Sequence, residues 1–197
     1  MQRFVCPVFV ILITLGGCAG EGDVYSVVQD RAYRFSEFKA AAANKTFRTV
    51  IAGNPFKTTS TGAAHDAVLT AMQPVNWWQP LPFTPKTVFT ERPRGAHNPR
   101  YHVVVALNPD EAKNGWYDAP CAGKGAPPTR GPGEDITVRM YFCRDTVPLS
   151  LSHGTLEGSA SPDAPQFRRM VTRMTMELFP QRRNDRDCLG LRRKNRC

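Results

Sequence analysis

Ile136-Thr137-Val138-Arg139-Met140-Tyr141-Phe142-Cys143-Arg144 is the stretch on which the fold turns. Ile136, Val138, Met140 and Phe142 occupy every second position, the side-chain period of a β-strand, so they share one face. The segment reads as a half-buried strand with that face on the core. Upstream, residues 101–107 form a near-continuous valine run, a second strand stopped by Asn108-Pro109. Downstream, Phe167, Met170, Val171, Met174 and Leu178 recur at helical spacing while Arg168, Arg169 and Arg173 take the other side. Ser161-Pro162-Asp163 supplies start signals for this helix and Pro180 its stop.

Working back toward the N-terminus, Ser36-Glu37-Phe38-Lys39 and four following alanines predict a capped helix ending near Asn44. Residues 47–52 read as a strand ended by Gly53-Asn54-Pro55, and 64–72 as a helix with Ala64, Val68, Ala71 and Met72 on one face. A short strand is expected over 87–91. Residues 24–35 show no clean period, and 110–135 read as a long Gly/Pro/Asp-rich loop holding Cys121. Pro148 and Gly154 predict irregular chain after the strand at 136–144. There are no internal repeats. The order α-β-α-(β)-β-β-α predicts an α+β fold: one domain with a small, mostly antiparallel sheet and helices packed on one face.

The N-terminus carries a different signal. Arg3 precedes an apolar run over 4–15, which ends in Leu15-Gly16-Gly17-Cys18. A run of ~12 residues at ~1.5 Å each spans ~18 Å, too short for ~30 Å of hydrocarbon. Charged start, short apolar core and small residues before a break are the layout of a secretory signal. With Cys18 at its end, the segment resembles a bacterial lipoprotein signal with its lipobox. That resemblance implies cleavage after Gly17, thioether-linked diacylglycerol on Cys18 and acylation of the new amine. It also implies a chain held outside the cytoplasm by lipid rather than by a spanning helix, as two or more acyl chains suffice for stable anchoring. Ala19, rather than Asp, follows the cysteine; in the enterobacterial sorting pattern this implies transfer to the outer membrane, facing the periplasm. The chain then divides into a signal peptide over 1–17, a lipidated tether over 18–23, a globular domain over 24–180 and a flexible basic tail over 181–197.

The formal charge of +9 becomes +8 once Arg3 leaves with the signal. Outside the cytoplasm such a balance points to anionic lipid, lipopolysaccharide or peptidoglycan carboxylates, and away from nucleic acid. It also serves solubility alone. The tail concentrates this charge, with seven Lys/Arg against Asp185 and Asp187. Either it touches anionic lipid or peptidoglycan, or it is a solvated end.

Of six cysteines, Cys6 lies in the signal and Cys18 carries lipid, leaving Cys121, Cys143, Cys188 and Cys197. An even number in an oxidising compartment predicts disulfides, and no C-x-x-C spacing suggests zinc or redox chemistry. Cys143 lies in the alternation class opposite Ile136, and the loop holding Cys121 is free to fold back onto that face, so the two are expected to pair. Cys188 and Cys197 pair locally or stay free.

Candidate sites are few. Trp77 and Trp78, between Pro74, Pro80, Pro82 and Pro85, either present stacking surfaces to glycan or membrane interface, or cover an edge of the core. The burial habit of tryptophan favours the second. His65, His97, His102 and His153 show no metal-ligand or catalytic spacing. Ser150, Ser152 and His153 lack the glycine pattern of a nucleophile elbow. Nothing selects a catalytic pair from Glu91, Asp118, Glu134 and Asp135. Asn54-Pro55 and Asn108-Pro109 are either a shared rim of the sheet or ordinary turns. No cofactor and no metal are expected. The mature domain resembles the small uncharacterised lipoproteins of Gram-negative envelopes. The sequence favours a non-catalytic binding or structural module; its rival is a periplasmic hydrolase acting on cell-wall material.

Overall fold

The computed structural model describes residues 23–28, 33–42, 46–73, 83–84, 97–110, 119–122, 127–158 and 160–180. In chain order these form β1 (Asp23–Val28), α1 (Phe35–Ala42), β2 (Thr46–Ala52), α2 (Thr61–Met72), β3 (Phe83–Thr84), β4 (His97–Leu107), α3 (Ala119–Ala122), β5 (Ile136–Arg144), β6 (Val147–Leu156) and α4 (Pro165–Leu178). The strands make one mixed sheet in the order β1-β6-β5-β4-β2-β3. The pairs β1–β6, β6–β5 and β5–β4 are antiparallel, whereas β4–β2 and β2–β3 are parallel. The α+β class and the predominance of antiparallel pairing thus agree with the sequence reading.

The predicted strand over 136–144 has the bounds of β5. Its alternation puts Ile136, Val138, Met140 and Phe142 on the face covered by α1, α2 and α4. There they meet Val103, Val105 and Leu107 of β4, Phe38 of α1, Val68 and Met72 of α2, and Phe167, Val171 and Met174 of α4. Aromatic rings close the core at one end: Phe38 stacks on Phe179 at 4.6 Å, and Phe142 meets Phe179 edge-on at 5.2 Å. Burying one large apolar side chain contributes ~1.5–3 kcal/mol, so this face supplies most of the stability.

Several expectations need correction. β5 is buried on both faces, not one, because Val104, Tyr141, Cys143 and Leu151 form a second apolar cluster with Cys121 of α3 on the reverse side. α3 itself lies inside the segment read as a loop. Residues 147–156 are a ten-residue strand rather than irregular chain. Pro148 is tolerated because the β5–β6 register shifts beside it, between Phe142 and Cys143. Gly154 is tolerated because α4 crosses there: a Cβ at that position would lie 2.6 Å from Met174 Sδ. Asp23, assigned to the tether, and residues 24–28 of the stretch that showed no period form the edge strand β1 on β6. The cap signals of α4 are not used as such. Its N-cap is Ala164, without a side-chain bond, and Pro165 opens the helix with a preset φ. By contrast α2 starts on Ser60, whose side chain accepts from the Ala63 backbone N–H at 3.3 Å. The short strand read at 87–91, residues 18–22 of the tether and the basic tail lie outside the described residues; Asp23, the last tether residue, opens β1.

Candidate functional site

The parallel pairing of β2 with β4 sets Ala52 beside Ala106, so the chain leaves both strands on one rim of the sheet. Gly53 there has φ +85, and a Cβ would lie 2.3 Å from the Leu107 carbonyl oxygen, so only glycine fits. Asn54 Oδ1 accepts from the Phe56 N–H at 3.0 Å, and its Nδ2 donates to Thr59 O at 2.7 Å. Asn108 takes φ 48, accepts from the Thr137 N–H at 2.8 Å and donates to Gly131 O at 3.2 Å. His65 Nε2 lies 2.9 Å from Gly53 O. The two Asn-Pro stops therefore do share a rim; Asn54 is engaged in its own turn, whereas Asn108 ties the end of β4 to the start of β5 and the segment before it.

The reverse face of the sheet carries buried basic groups. Register places Arg139 of β5 between Ala106 and His153, and His102 of β4 between Arg48 and Cys143. Arg139 is fully buried, and its Nε donates to His153 Nδ1 at 3.3 Å. That bond makes Nδ1 the acceptor, so the imidazole proton sits on Nε2, which lies 3.1 Å from Thr155 Oγ1 and donates to it. Burial first, then the charge of Arg48, drives His102 down to about 4, with Asp145 opposing; the ring is neutral at pH 7. Burial also lowers Arg48, to about 10, which leaves it cationic. Between these polar rows Cys121 and Cys143 form the expected disulfide, with Cα atoms 5.6 Å apart. It pins α3 onto β5.

A third group lies at the opposite end from the Asn-Pro rim. Glu37 Oε1 accepts from Tyr101 Oη at 2.7 Å and from Arg144 Nη1 at 2.6 Å, tying α1 to β4 and β5. Burial, and then the bond to Glu37, raises the Tyr101 phenol, which stays protonated as the donor. Arg100 pairs with Asp145 at 2.9 Å across the neighbouring turn. Tyr33 Oη donates to Pro180 O at 3.1 Å, and burial pushes that phenol up as well.

These positions decide several sequence candidates. Ser150 and Ser152 face the helices, the former donating to Leu178 O, whereas His153 faces the other side of the sheet. Neither serine reaches that imidazole, so no nucleophile–base pair forms there. Glu134 and Asp135 are exposed before β5, and Asp135 accepts from the Gly158 N–H at 3.0 Å. Among the described residues no group of three His, Cys, Asp or Glu side chains is placed to hold a metal ion. Cys18, Trp77, Trp78, Cys188, Cys197, Glu91 and Asp118 lie outside the described residues; His97 is placed by its backbone, opposite Thr46. Sequence reading missed Arg48, Arg139 and the Glu37 clamp. The available signal for Arg139 was its company: Tyr141 and Cys143, on the same face, are poor residues for a solvent-facing strand edge.

No family model matches the chain, and no characterised protein matches it by sequence. Among solved structures it bears a distant similarity to PelC from Paraburkholderia phytofirmans, solved as a dodecamer in space group P6. The identity is 15% and the TM-score 0.43, over 82% of this chain and 99% of that one. A point variant of that dodecamer, in space group C2, gives 13% identity and a TM-score of 0.41 over the same shares. Among the described residues no helix is long and apolar enough to cross a membrane.

Proposed function

We propose that the protein is a lipid-anchored, non-catalytic binding or structural module of the bacterial cell envelope, held on the outer membrane and facing the periplasm. The carrying observation is the placement of Leu15-Gly16-Gly17-Cys18: the cysteine stands five residues before Asp23, the first residue of edge strand β1. Five residues extend at most ~18 Å. A lipidated Cys18 would therefore keep the domain against the membrane surface without any spanning segment. The Cys121–Cys143 disulfide suits an oxidising compartment. The polar groups that might have served chemistry have structural duties instead. His65 lies against the Gly53 carbonyl, His153 joins Arg139 to Thr155, and Ser150 holds the end of α4.

Growth with labelled palmitate tests the anchor. Label should enter the wild-type chain and not Cys18→Ser, and the variant should leave the membrane fraction. Palmitate incorporated equally by Cys18→Ser would refute the lipid reading and the compartment with it.

A further inference from the structure

The methionines of this fold fall into two classes. Met72, Met140, Met170 and Met174 are buried at 0–3% exposure, whereas Met176 is 54% exposed. α4 carries Met170, Met174 and Met176, and its geometry separates them. Met170 and Met174, four residues apart, share the inner face of the helix. They close over Gly154 of β6, where a Cβ would lie 2.6 Å from Met174 Sδ and 3.2 Å from Met170 Sδ. Two residues after Met174 the helix has turned by ~200°, so Met176 stands on the opposite side. Arg173, also exposed, lies on that outer side within one turn of it. A thioether facing water on a helix whose other thioethers form the core contact is burial of neither kind: it packs nothing, and it is the sulfur a solute meets first.

We propose that Met176 is a site of reversible oxidation, at which the folded protein takes up peroxide as methionine sulfoxide without loss of structure. The sulfur donates a lone pair to one oxygen of hydrogen peroxide. An S–O bond forms as the O–O bond breaks; sulfur loses two electrons, and the departing oxygen leaves with them as hydroxide. That hydroxide takes the proton of the hydroxysulfonium and departs as water, leaving the sulfoxide. The new oxygen is a hydrogen-bond acceptor. At position 176 it meets water and the guanidinium of Arg173, which are both donors. At 170 or 174 it would be driven into the close contact with Gly154, inside the apolar core. Oxidation there requires α4 to leave the sheet first, so the docking of α4 decides which sulfurs react. A thiol-dependent sulfoxide reductase reverses the step: two thiols supply two electrons and two protons, become a disulfide, and the oxygen leaves as water. Nothing in this chemistry depends on the lipid anchor.

The purified full chain, treated with hydrogen peroxide for increasing times, digested and mapped by mass spectrometry, tests this. In the native protein, sulfoxide at Met176 should form about tenfold or more faster than at Met72, Met140, Met170 or Met174. In urea these methionines should react at rates within about threefold of one another, since the fold alone sets the order. Thermal unfolding of the chain oxidised only at Met176 should keep its midpoint, and methionine sulfoxide reductase with dithiothreitol should restore the original mass. Met176→Leu should leave the midpoint unchanged and remove the early sulfoxide. Comparable native rates at Met176 and at Met170 or Met174 would overturn the proposal, as would a midpoint that falls when Met176 alone is oxidised. A preference for Met176 that persists in urea would trace the selectivity to local sequence, and a sulfoxide that the reductase cannot remove would end the claim of reversibility; each overturns it as well.

Discussion

Lowering the pH from 7 to 4 should weaken the fold through His102, and replacing that one side chain should remove the effect. The imidazole sits on β4 between Arg48 of β2 and the disulfide-bonded Cys143 of β5. Desolvation and the guanidinium hold its pKa at about 4 against an ordinary 6.5. Between these values the unfolded chain binds a proton that the folded one refuses. Stability is therefore full above pH 6.5 and is lost as pH falls toward 4. At 1.36 kcal/mol per pH unit the gap sets a ceiling of about 3 kcal/mol, and partial access of water to the ring reduces it to ~1–3 kcal/mol. Urea unfolding of wild type and His102→Gln at pH 7, 6, 5 and 4 measures it, followed by circular dichroism. Other titrating groups act in both proteins and cancel in the difference, so the wild type should lose ~1–3 kcal/mol more than the variant across this range. Equal losses in the two proteins would show that the ring is hydrated and that the reverse face of the sheet is open where the structure closes it.

Other substitutions probe the two faces separately. Gly154→Ala should cost ~1–3 kcal/mol by pushing a Cβ against Met174 and Met170, and the double variant with Met174→Ala should be clearly less than additive; thermal denaturation of the set reads this out, and simple additivity would show that α4 does not rest on that glycine. Removing the Cys121–Cys143 link, which spans 22 positions, by Cys121→Ser with Cys143→Ser should lower stability by about 3 kcal/mol in the chain-entropy account. Peptide mapping without reduction should recover these two cysteines in one linked fragment, and a Cys121–Cys188 link in its place would contradict the structure.

How much of this was legible in the sequence depended on whether an element's fate was set locally. β5 and α4 were readable because their apolar residues keep strand and helix periods without interruption, and the disulfide followed from the face on which Cys143 falls. β6 was not readable. Pro148 and Gly154 argue against a strand by every local rule, and both are accommodated by neighbours: a register shift on β5 in one case, two methionines of α4 in the other. Among the described residues β1 pairs with one strand, more than a hundred residues away, and no local period announces that. The polar clusters were hidden for the same reason. Glu37 meets Tyr101 across 64 positions and Arg144 across 107. The buried arginines stayed invisible because alternation assigned Arg139 to a face that was expected to be wet.

The pairing of the first strand with the last has a consequence for how the protein is made. Among the described residues β1 has no strand to pair with until residues 150–155 have been synthesised, and the closest ring stacked on Phe38, that of Phe179, comes later still. A chain whose N-terminal third awaits its final helix gains little from folding early, since closing so long a loop must precede the contacts that reward it. β1 therefore stays unpaired until nearly all of the described fold exists. For a polypeptide threaded through a secretion channel from its N-terminus, this delay is protective. If the chain is exported as proposed, the architecture would postpone compaction until the last helix has crossed, and the Cys121–Cys143 bond would then close on the far side.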